Sequence, residues 1–168
     1  MLNTFQQADH AVLPAASPEE AARQEFVKSL KHYVQQGILP GLGPVYQTRA
    51  AKAFEKAHGR APADRHDIRK AMVPDIYFQH YAAVNRISQE LLWDSVIDSI
   101  ERQGEDLIAR AEEASAKNQG ELRIDEGFEV PRYVSALDIH CMPGGYAGRE
   151  GNDDVRLGAL YDRGVFLY

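Results

Sequence analysis

An acid, a base, a thiol and a phenol fall within nine residues of one another: Asp138, His140, Cys141 and Tyr146, set around Pro143-Gly144-Gly145. These groups are the raw material of general acid–base and nucleophilic chemistry. Their spacing limits how they can combine. If residues 134–140 are extended, Asp138 and His140 point to one side of the strand and Ile139 and Cys141 to the other, which separates the base from the thiol. Two readings stay open. In one, Cys141 packs as a small apolar residue, His140 is a hydrogen-bonded structural group and the glycines supply a turn. In the other, the loop faces a substrate. Neither assigns a catalytic base.

Metal chemistry is not expected. A zinc site needs three or four converging ligands, and the histidines at 10, 32, 58, 66, 80 and 140 lack the tight paired spacing such sites use. Trp93, Tyr77, Phe78 and Tyr81 suit either a helical core or the aromatic wall of an apolar pocket. Asp162 and Arg163 could form a polar rim, although an exposed ion pair contributes little. The basic run Arg65-His66-Asp67-Ile68-Arg69-Lys70 is short, contains an acid and lacks interleaved aromatics, so it reads as a solvated helix face rather than a nucleic-acid patch.

The elements that would position these residues are mostly helices. Residues 1–16 read as a flexible or loosely docked arm, with Pro14 discouraging a helix. Ser17-Pro18-Glu19-Glu20 is a capping box with proline at the first helical position. The helix it starts should reach about Gln36, bury Ala22, Phe26, Leu30, Tyr33 and Val34, and stop at Gly37. Ile38-Leu39-Pro40-Gly41-Leu42-Gly43-Pro44 is too rich in glycine and proline to be regular and predicts a structured turn.

Further helices are predicted over Val45 to His58, ended by Gly59, and over Arg65 to Met72, capped by Asp64. The longest should run from Asp75 to Gln103, with an apolar band through Tyr77, Tyr81, Val84, Ile87, Leu91, Trp93, Val96, Ile97 and Ile100. Gly104 should separate it from a surface helix, Glu105 to Asn118. Short extended or β segments are expected near 122–142, where apolar residues sit among Asp125, Gly127 and Pro131. A last helix is expected near Asp153, capped by Asn152 or Asp153. The fold class is mainly α, a helical bundle-like domain over 17–168.

Composition fits this picture. With 168 residues, 44% hydrophobic and 26% charged, the chain can bury one core. A net charge of -6 disfavours binding to a phosphate backbone. A single cysteine excludes an internal disulfide, and no apolar run approaches the ~18 residues of a membrane span. No signal-peptide pattern opens the chain, so the cytoplasm is the simplest location, with no nucleic-acid or membrane partner expected and room left for a homo-oligomer. The apolar ending Gly164-Val165-Phe166-Leu167-Tyr168 reads as an element cut part way, the mark of a fragment.

The run Ser135-Ala136-Leu137-Asp138-Ile139-His140-Cys141-Met142-Pro143-Gly144-Gly145-Tyr146, followed by Gly158-Ala159-Leu160-Tyr161-Asp162-Arg163-Gly164-Val165-Phe166-Leu167-Tyr168, resembles a segment of bacterial class I S-adenosylmethionine-dependent methyltransferases. In that family the segment lies upstream of the cofactor-binding sheet. The likeness covers roughly 130–168, and before that only a tryptophan-containing helix and an Ala/Glu-rich helix near 90–116.

It implies the N-terminal substrate-recognition or cap portion of a methyltransferase, cut before a Rossmann-type α/β domain and inactive alone. S-adenosylmethionine is implied by the resemblance only, and this fragment is not expected to bind it. Leu137-Asp138-Ile139-His140-Cys141-Met142-Pro143-Gly144 imitates the family's Leu-Asp-x-Gly-x-Gly cofactor loop, but His140 and Met142 fill the glycine positions that a close backbone approach requires. The expected partners are the missing cofactor domain and a small-molecule substrate. Asp138, His140, Tyr146 and Tyr161 are the candidates for substrate or interdomain contact. The alternative is a non-enzymatic helical module that binds another protein.

Overall fold

The computed structural model describes residues 7–117, 120–121, 123, 125, 127–136, 140–143 and 154–167, with the side chains of 134 and 135 excepted. They form seven α-helices: α1 (Pro18–Tyr33), α2 (Leu42–Val45), α3 (Ala51–His58), α4 (Arg65–Met72), α5 (Ile76–Ala116), α6 (Arg132–Ser135) and α7 (Val155–Leu167). The chain divides into two compact units, one of residues 1–25 and 90–168 and the other of residues 26–89.

No strand occurs among the described residues, so the β alternative of the extended or β segments expected near 122–142 is not seen there; residues 122, 124, 126 and 137–139 lie outside the described residues. Asp125 instead makes a local turn, its side chain accepting from Gly127 N–H and its carbonyl from Phe128 N–H. Pro131, with φ -56° and ψ 140°, then leads into the single turn of α6. Phe128, Val130 and Tyr133 are 65%, 55% and 79% exposed. Apolar β-formers without a neighbouring strand gain neither a ladder nor a buried face.

In the 26–89 unit the segment predicted as a turn is helical throughout. A π-helical turn, Val34–Ile38, carries the chain past Gly37, a 3-10 turn covers Leu39–Gly41, and a second π-helical turn, Tyr46–Ala50, joins α2 to α3. The hydrogen-bond ladder passes two prolines by changing its spacing, wider in the π-helical turns and tighter in the 3-10 turn. Leu39 N–H reaches back to Val34 O, and Leu42 N–H to Leu39 O, so the missing donor of Pro40 is bypassed. Beyond Pro44, Tyr46 N–H bonds Gly43 O and Leu42 O, and Ala51 N–H reaches Tyr46 O.

The predicted start at Val45 does not appear, because the chain is already helical there, but the predicted end at His58 and both bounds of α4 do. Gly59 ends α3 at φ 69°, in the left-handed region. Asp64 caps α4 by accepting from His66 N–H and Asp67 N–H. Ala50, Phe54, Ala71 and Met72 form the core here, with Leu42, Val45, Tyr46 and Phe78 packed around them.

The capping box at Ser17 is formed as read: Ser17 N–H donates to Glu20 Oε2 at 2.7 Å and Glu20 N–H to Ser17 Oγ at 3.2 Å. Of the residues predicted to be buried here, Val34, just past α1, is buried, but the rest of the inward face of α1 is not the predicted one. Phe26 and Tyr33 are 62% and 60% exposed, while Glu20, Gln24, Val27, Lys31 and Val34 are buried. This polar line can go inside because its members find partners. Glu20 binds Arg102, Gln24 binds Ser95 O, and Lys31 Nζ donates to Gln89 Oε1 at 3.0 Å.

Helix α5 runs through Gly104 without a break. In the unit of 1–25 and 90–168, its buried positions include Leu92, Trp93, Val96, Ile100 and Leu107. Leu107, in the narrow apolar stripe of the stretch predicted as a surface helix, is fully buried. Residues 7–16 of the predicted arm are fastened to α5: Arg102 and Gln103 donate to Ala15 O, and Arg110 to Leu13 O. No helix among the described residues is long and apolar enough to cross a membrane.

Candidate functional site

Helix α7 and the stretch His140–Pro143 carry much of the sequence singled out above, and both meet α5 in the same unit. Asp154 starts α7, its Oδ1 accepting Leu157 N–H at 2.9 Å and its carbonyl accepting Gly158 N–H. The predicted caps Asn152 and Asp153 lie outside the described residues. Trp93 is the centre of the contact. Its indole Nε1–H donates to His140 O at 2.5 Å, and a Cβ placed on Gly164 would lie 2.1 Å from its ring. Glycine at 164 thus lets the α7 backbone rest on the indole.

Beside this contact lies a cleft of about 150 Å³. Helix α5 supplies Ile97, Ile100 and Glu101, α7 supplies Arg156, Leu157 and Leu160, and Pro143 and Asp154 complete the wall. Arg156 is anchored by a bond from Nη2 to Glu105, while its Nε is buried with no hydrogen-bond partner. The guanidinium lies against the helix backbone, since a Cβ on Gly104 would sit 2.5 Å from Nε. Gly104, read from sequence as a break, serves as a seat for this side chain. An apolar wall with a guanidinium and two carboxylates suits a small amphiphile bearing both charge and hydrocarbon.

A second polar cluster surrounds Gln24, which is 1% exposed. Arg163 donates to Gln24 Oε1 from Nε at 3.0 Å and from Nη2 at 2.6 Å, and to Gln7 Oε1 from Nη1 at 2.6 Å. Gln24 Nε2 in turn donates to Ser95 O at 3.3 Å. Burial pushes the Arg163 guanidinium below its usual range, against the pull of Glu25 and Asp162. Asp162 accepts from Gln7 Nε2 and lies 3.0 Å from His10 Nε2. Asp162 and Arg163 therefore each bind other residues, and their surroundings are structural.

Of the four sequence candidates, Asp138 and Tyr146 lie outside the described residues. His140 is half-buried, and its backbone carbonyl makes the Trp93 bond. Tyr161 is 47% exposed on α7. Cys141 takes φ 57°, an uncommon left-handed conformation for a residue with a side chain. Met142 is 3% exposed and packs as core. No group of three or more histidine, cysteine, aspartate or glutamate side chains that could hold a metal occurs among the described residues.

Sequence reasoning missed Arg156 and Glu101. Their signal is conformational, a glycine on one helix opposite an arginine on another, and spacing along either helix does not display it. Compared with known proteins, the chain matches no family model, no curated protein and no solved structure.

Proposed function

We propose that the chain is the helical, substrate-side portion of an S-adenosylmethionine-dependent methyltransferase whose cofactor-binding sheet lies outside this sequence. The observation that carries the reading is the convergence of methyltransferase-like residues at one place. Pro143, Leu160 and Gly164 all meet α5, around a cleft that combines apolar walls with Arg156, Glu101 and Asp154. Methyl transfer depends heavily on holding acceptor and sulfonium methyl in line. A helical cap contributes by gripping the acceptor and excluding water. Tyr161, half-exposed on α7, and the His140 loop are the substrate or interdomain contacts under this reading.

A second reading, a non-enzymatic interaction module, is favoured by Phe26 and Tyr33, exposed one heptad apart on α1. The reading frame beyond the Tyr168 codon distinguishes them. Continuation into a strand followed by Asp-x-Gly-x-Gly is expected, and the longer chain should bind S-adenosylmethionine and transfer methyl groups. A stop codon at that point would leave the interaction module.

A further inference from the structure

The 26–89 unit holds a cleft of about 260 Å³ whose lining includes none of the site candidates named above. We propose that it binds a small apolar carboxylate, an arene or short alkyl chain bearing one negative charge.

The floor is apolar and rigid. Ala50, Phe54 and Ala71 are 3%, 4% and 8% exposed and belong to the core of this unit. The Phe54 ring is fixed by the His58 imidazole, stacked at 4.1 Å and 12°, and by the Arg60 guanidinium 5.5 Å from its centroid. An enclosed cavity of about 150 Å³ suffices for benzene. A cleft of 260 Å³ therefore has room for a ring with a short side chain.

The sign of the charge follows from the rim. Arg49, His58 and Lys70 border the cleft, and Asp75 is its one carboxylate among the described lining residues. Asp75 is already engaged: Arg49 grips it from Nε at 3.1 Å and Nη2 at 2.9 Å, and Tyr77 N–H donates to it. That bidentate pair answers the Arg49 charge. Lys70 has no ion-pair partner of this kind among the described residues, and feels Asp67 only through a longer-range attraction. His58 commits Nδ1 to Phe54 O at 3.0 Å, so its ring is held in place with Nε2 as its remaining polar atom. The uncompensated charge beside an apolar floor is thus positive.

The backbone supplies an independent pointer. Arg49 and Ala50 reach the cleft from the π-helical turn Tyr46–Ala50. Such turns sacrifice regular helix geometry and recur at functional sites.

The test uses the whole chain, 15N-labelled, titrated with 3-phenylpropionate and, in parallel, with 3-phenylpropan-1-ol and 3-phenylpropylamine. The carboxylate should shift amides of α3 and α4 with a Kd below about 1 mM. The alcohol should bind more weakly and the amine least. Lys70→Gln, on an exposed position, should weaken the carboxylate about fivefold, the scale of an exposed ion pair, and leave the alcohol unchanged. Ala53→Leu, which fills the cleft from an exposed position of α3, should abolish all binding with an unchanged melting temperature. Ala57→Leu serves the same purpose if the first variant melts early. Equal binding of amine and carboxylate, shifts confined to other helices, or undiminished binding after the cleft is filled would each overturn the proposal.

Discussion

Trp93 concentrates two kinds of contact in one residue. Its indole surface supports the α7 backbone at Gly164, and its N–H answers the His140 carbonyl. Trp93→Phe keeps most of the ring but leaves that carbonyl without its donor, a loss expected at about 1 to 3 kcal/mol in denaturant unfolding. Gly164→Ala adds a methyl where there is no room and should cost about 1 to 3 kcal/mol by overpacking. An unchanged midpoint for both would mean that α7 is not seated on the indole. Trp93 and Gly164 were visible in the sequence only as an aromatic and a small residue. Neither periodicity nor turn propensity says that a glycine 71 positions away lies on an indole face.

At the scale of elements, local chemistry was legible and facing was not. The capping box at Ser17, the Asp64 cap and the left-handed Gly59 are decided by side chains within a few residues, so the sequence displays them. The inward face of α1 is decided by partners far along the chain. Gln24 is buried because Ser95, Ser99 and Arg163 bond it, and no count of apolar residues on α1 contains that information.

Lys31 shows the cost of such a face: burial holds its pKa down at about 8. Below that value both folded and unfolded chains carry the charge. Between about 8 and 10.5 the folded chain has released the proton and the unfolded chain has not, so stability should rise with pH across that window. Lys31→Met should remove this rise in a series of thermal melts. A rise of undiminished size in the variant would assign it to another group.

Gly104 offers a second test at this scale. Alanine ordinarily stabilises a helix interior by about 1 kcal/mol relative to glycine where the methyl has room. Here the added methyl displaces the Arg156 guanidinium and its bond to Glu105. Gly104→Ala should therefore gain nothing alone, yet stabilise by about 1 kcal/mol in an Arg156→Ala background. Equal effects in both backgrounds would mean that Arg156 does not rest there.

For the whole molecule, the weight falls on whether the methyltransferase-like loop is itself a cofactor site. Helical content was legible because long amphipathic periods dominate the sequence. Among the described residues the extended or β segments expected near 122–142 form no strand, because short apolar runs alone do not specify a partner strand. Within the loop, Met142 is almost fully buried and Cys141 adopts the left-handed turn, so the position where a cofactor loop places glycine instead contributes a side chain to the core. At Met142 the buried side chain takes the space that a close ligand approach to bare backbone needs. Calorimetric titration of this chain with S-adenosylmethionine should show no binding tighter than about 100 μM. Met142→Gly should not create such binding, and should destabilise the fold by the few kcal/mol typical of deleting a large buried side chain. Tight binding by the unaltered chain would make the loop a working cofactor site. It would also overturn the proposal that the helices grip substrate while a separate sheet holds the methyl donor.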